Sequence, residues 1–112
     1  MTDGLGLYQE LTALLDDLDR SVAEAALLGR KLASDEREYK VAAAVRALEL
    51  RESGRPATLI DTLVKGDPDV SLKRFRRDCS EADYQANREA INALKLRIRI
   101  VNDQVSREWG RA

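Results

Sequence analysis

A chain of 112 residues has room for one modest hydrophobic core, and here 35% of residues are charged, 44% hydrophobic and only 4% aromatic. With 2 prolines and 6 glycines it has too few turn formers for a sheet protein, so the profile is that of long helices. The 19 bases and 20 acids nearly cancel, which argues against a dedicated polyanion binder, and the absence of His removes the commonest general base and metal-binding nitrogen.

From Leu7 to Leu50 there is no proline, and Leu11, Leu18, Ala25, Leu32 and Tyr39 recur seven apart, with Leu7, Leu14 and Leu28 at the complementary heptad position. This spacing predicts helix 1 over about residues 6–52, with a coiled-coil-like seam that drifts onto Val41, Val45 and Leu48 as a straight helix outruns the repeat. Ser53-Gly54-Arg55-Pro56 should end it, because Gly54 tolerates the left-handed conformation and Pro56 cannot continue a helix. Leu59, Ile60, Leu63 and Val64 then predict a short helix over about 57–65, expected to cover the tip where the chain reverses.

Asp67-Pro68-Asp69 is a helix start: an N-cap carboxylate, a proline at the first helical position and an acid at the positive end of the dipole. No Gly or Pro follows until Gly110, so helix 2 should run over about 68–109. The expected architecture is a single all-α domain, 1–112, built as an antiparallel helical hairpin, coiled-coil-like, with a short helix at the tip.

Helix 2 carries two apolar stripes. One passes through Val70, Tyr84, Ile91, Leu94, Ile98, Val101 and Val105 to Trp109 and suits helix 1. The other, Leu72, Phe75, Cys79, Ala82, Ala86, Ala93, Leu96 and Ile100, is rich in small residues that let a further helix approach closely. That second stripe is the candidate protein interface, and it predicts a homo-oligomer or another protein partner. The short helix reaches only as far as Leu72 and Phe75.

A turn closing between Glu52 and Val70 pairs residues whose numbers sum to roughly 123, since both arms advance equally. It sets Leu48 against Phe75, Leu32 against Ile91, Val22 against Val101 and Leu14 against Trp109. The same register places Asp35 and Glu36 opposite Arg88, a charged layer that would penalise slipped pairings; the alternative is that these charges rotate out to water. Residues 1–52 hold 11 acids and 7 bases, and residues 68–112 hold 7 acids and 10 bases, so the arms attract.

No residues suggest catalysis, and no cofactor or metal is expected. Cys79 has no partner for nucleophilic chemistry and reads as a small buried hydrophobe. Asp16 and Asp17 diverge by about 100° on a helix, so the acidic cluster they form with Asp19 is a solvated face. The basic residues Lys73, Arg74, Arg76 and Arg77, with Lys95, Arg97 and Arg99 further on, are the candidate nucleic-acid contacts; the competing reading is charge balance against helix 1. A lone cysteine needs no oxidising compartment, and neither a leader-like start nor a run of about 18 apolar residues is present. The expected location is the cytoplasm, with no membrane partner.

The segments GRPATLI (54–60), KGDPDV (65–70), RRDCSEADYQA (76–86), EAINALKLRIRI (89–100) and QVSREW (104–109) make the second half of the chain resemble a group of small helical proteins encoded by phages and prophages of Gram-positive bacteria. The first helix matches only in pattern. The resemblance implies an accessory role in phage DNA metabolism, in the host cell cytoplasm, and carries over no binding residue. An inhibitor of a host enzyme, with acidic helix 1 as a decoy surface, is the remaining expectation.

Overall fold

The computed structural model describes residues 4–110. Among them the chain forms three α-helices and no strand: α1 (Gly4–Glu52), α2 (Ala57–Gly66) and α3 (Pro68–Trp109). The helix ends follow from local chemistry. Gly54 adopts φ +83°, and its N–H reaches the Arg51 carbonyl at 3.1 Å while the Arg55 N–H reaches that of Leu50 at 3.1 Å, so two carbonyls left over at the end of α1 are satisfied. At the start of α3, Asp67 Oδ2 accepts from the backbone N–H groups of Asp69 and Val70, each at 3.1 Å, and the Asp67 carbonyl accepts from Ser71 at 2.8 Å.

Packing divides the chain into two compact units, one of Met1–Leu27 with Gln85–Ala112 and one of Leu28–Tyr84. In the Leu28–Tyr84 unit the core is Leu50, Val64 and Val70, with Tyr39, Ala42, Ala43, Ala47 and Ile60 packed around them. α2 lies along the last turns of α1, where Ile60 and Val64 line a groove with the small residues Ala43, Ala44 and Ala47. It therefore flanks α1 rather than covering a tip, and Leu72 and Phe75 stay exposed.

This placement corrects the expected pairing. α2 uses up ten residues alongside α1, so α3 begins level with Arg46, whose Nε lies 3.2 Å from Asp67 Oδ1, outside hydrogen-bond angles. Partners in this unit accordingly sum to about 113: Glu36 with Arg77, and Gly29 with Tyr84, whose ring lies 3.5 Å from where a Cβ on residue 29 would stand. Leu48 and Phe75, expected to meet, are both exposed.

In the other unit the buried apolar residues are Leu7 and Leu14 on α1 and Val101 on α3. Asn87 Nδ2 donates to the Ser21 carbonyl at 3.0 Å, and the indole of Trp109 comes to 3.5 Å from a Cβ position at Gly4. Trp109 is thus beside the start of α1 instead of opposite Leu14, and Val22, expected against Val101, is exposed.

Candidate functional site

The inward face of α3 follows a heptad through Val70, Lys73, Arg77, Ser80, Tyr84, Asn87, Ile91, Leu94, Ile98, Val101 and Val105, all buried or half-buried. Its apolar ends were legible, but Lys73, Arg77, Ser80 and Asn87 were not assigned to it. Their signal was the 3–4 spacing that links Val70 to Tyr84 and Ile91 through them.

The polar stretch has a defined geometry in the Leu28–Tyr84 unit. Lys31 Nζ donates to Asp35 Oδ2 at 2.8 Å and to Ser80 Oγ at 3.1 Å, and the Ser80 hydroxyl donates to the same carboxylate. The Lys31 bond and then the Ser80 bond hold the Asp35 carboxyl below the usual carboxylate range, and Asp35 in turn raises Lys31. One turn away Glu36 Oε1 lies 3.6 Å from both Lys40 Nζ and Arg77 Nη1. The Arg77 guanidinium stacks 4.9 Å from the centroid of Tyr39, and its Nε donates to Asp78 at 2.7 Å.

The expected layer of Asp35, Glu36 and Arg88 is therefore corrected. Asp35 is held by Lys31 and Ser80, and Arg77 stands where Arg88 was expected, about ten residues earlier because of the space α2 occupies. Arg88 is exposed. No group of three or more metal-ligating side chains occurs among the described residues.

The four basic residues at the start of α3 do not share a face. Lys73 and Arg77 turn inward and are held by Asp69, at 3.0 Å, and by Glu36 and Asp78, while Arg74 and Arg76 are exposed. The Leu72–Ile100 stripe behaves differently: all eight of its residues are exposed, with Leu72 at 47%, Phe75 at 65%, Leu96 at 55% and Ile100 at 49%. Leu72, Phe75, Cys79 and Ala82 lie in the Leu28–Tyr84 unit, and Ala86, Ala93, Leu96 and Ile100 in the other. Cys79, expected as buried, is exposed because it lies off the inward heptad, which passes through Arg77, Ser80 and Tyr84.

Comparisons with known proteins find no matching family model, no matching curated protein and no matching solved structure. The functional reading therefore rests on the residues themselves.

The expected drift of the α1 seam onto Val41, Val45 and Leu48 is corrected: all three are exposed, and Ala42, Ala43 and Ala47 pack against the core in their place. Leu5, Tyr8 and Trp109 form an apolar patch beside Gly4 that was missed from sequence. Among the described residues no helix is long and apolar enough to cross a membrane.

Proposed function

We propose that this chain is a non-enzymatic antiparallel helical hairpin that acts by binding protein surfaces and by self-association, as an accessory factor of the phage or prophage type working in the cytoplasm. One observation carries the reading: the eight-residue stripe of α3 has four large apolar side chains that are 47–65% exposed, and small residues between them. Apolar side chains aligned on one helix face are the usual mark of an interaction surface, because leaving them in water is unfavourable. The seam facing α1 is supplied separately, by the heptad from Val70 to Val105.

Sedimentation velocity tests the reading. The chain should be larger than a monomer at high micromolar concentration, and Phe75→Glu with Leu96→Glu should bring it to monomer while circular dichroism keeps its helicity. A strictly monomeric native chain removes the self-association part of the proposal.

Binding to nucleic acid is the second reading, and it draws on Arg74, Arg76, Arg97 and Arg99, which are exposed and make no ion pair among the described residues. It calls for salt-dependent retention on DNA that falls when Arg74 and Arg76 are neutralised. No retention at low salt rules it out.

A further inference from the structure

The bases near the end of α3 separate by face, and three of them fall on a strip that has no acid of its own. Arg88, Asn92, Lys95, Arg99, Asn102 and Ser106 follow one another at steps of three and four, so they share one side of the helix over about 27 Å. All six are exposed, and all belong to the unit of Met1–Leu27 with Gln85–Ala112. Arg88, Lys95 and Arg99 make no ion pair among the described residues, although Asp103 follows Arg99 by about one turn. Arg97 lies about 200° round the helix from Lys95 and is not part of the strip.

The acids of α1 whose position is fixed stand on the other side of the seam. Asp17 and Glu24 line a groove together with Ala90 and Leu94 of α3. Ala90 is about 140° round the helix from Lys95, and the inward-facing Leu94 and Ile98 lie between the two directions. The strip therefore keeps its positive charge while the groove opposite is lined by carboxylates.

Resting on the nucleic-acid reading above, we infer that this strip is the binding site and that it takes the phosphate backbone of a nucleic-acid duplex. Three cations complement a row of phosphates, and the two amides and the hydroxyl among them are groups that donate to phosphate oxygens. The strip holds no aromatic ring on which unpaired bases could stack, which favours a duplex over a single strand. An anionic lipid surface fits less well. Insertion needs an apolar face, and the outward stripe of α3 carries Glu89 in line with Ala86, Ala93 and Leu96, an acid that such a surface repels.

Fluorescence anisotropy of the full chain with a labelled DNA duplex of about 16 base pairs, in about 30 to 240 mM NaCl, tests the assignment. The three cations contribute about −2.7 to the slope of log affinity against log salt, or about sixfold in affinity for each doubling of salt. Arg88→Gln with Lys95→Gln should make the slope shallower by about 1.8 and weaken binding at the lowest salt by about tenfold or more, with helicity kept by circular dichroism. Arg88→Lys should leave the slope unchanged, because it keeps the charge. Neutralising Arg74 and Arg76 instead should have the smaller effect on both quantities.

Binding that survives the loss of Arg88 and Lys95, or that depends more on Arg74 and Arg76, overturns the strip and leaves the nucleic-acid reading standing. Polyglutamate that competes as well as unlabelled duplex at equal charge, or tighter binding to vesicles with anionic headgroups, overturns it as a duplex site. No binding at the lowest salt overturns both.

Discussion

Removing the Ser80 hydroxyl isolates the contribution of the polar seam. Ser80 is 2% exposed, and its hydroxyl is one of two donors to Asp35, whose side chain is 13% exposed. Ser80→Ala leaves that carboxylate with Lys31 as its remaining donor. Hydrogen bonds to charged groups contribute about 1.5–3 kcal/mol, and retention of Lys31 argues for the low end of that range, about 1.5 kcal/mol. For a chain of this size that corresponds to a fall in Tm of roughly 4–8 °C.

The pH dependence gives the experiment its second axis. Asp35 has a folded pKa below its unfolded value, so its contribution is complete above about pH 5 and is lost as pH falls through the folded pKa. Ser80→Ala removes one of the two bonds that lower it, so the folded pKa of the variant rises towards that of a free carboxylate. Urea denaturation at fixed protein concentration should show the full penalty at pH 7 and a smaller one near pH 3. A penalty below about 0.3 kcal/mol at pH 7, or one that is unchanged at pH 3, would refute the assignment of Ser80 as a donor that matters to this carboxylate.

Leu50→Ala should cost about 2–4 kcal/mol by denaturation, because Leu50 is 5% exposed and joins all three helices of its unit through Val64 and Val70. Arg77→Ala should cost about 1 kcal/mol through loss of Tyr39 stacking and the Glu36 contact, whereas Arg88→Ala should change stability by less than about 0.5 kcal/mol; the reverse order would support the register that places Arg88 in the seam. Gly29→Ala should raise stability by up to about 1 kcal/mol in thermal melts, since the added methyl meets the Tyr84 ring at an ordinary contact distance and removes a helical glycine.

Helix content and helix ends were readable in the sequence because they depend on local chemistry. The Gly54 stop, the Asp67 cap and the proline-free runs from Leu7 to Leu50 and from Val70 to Trp109 act over a few residues, and their outcome does not depend on distant partners. The apolar ends of the inward heptad of α3 were readable for the same reason, since helical periodicity sets which side chains share a face, whereas its polar middle, Lys73, Arg77, Ser80 and Asn87, was not.

Register and pairing depended on where α2 packs, and that is a tertiary choice. The apolar positions of α2 fit either a cap over the turn or the side of α1. The small residues Ala43 and Ala47 permit a close approach along α1, and the cluster of Leu50, Val64 and Val70 forms there. That single docking displaces the start of α3 by the length of α2, puts Arg77 rather than Arg88 beside Glu36, and brings Ser80 to Asp35. Leu72 and Phe75 are left uncovered at the same time, because the helix expected to reach them lies against α1.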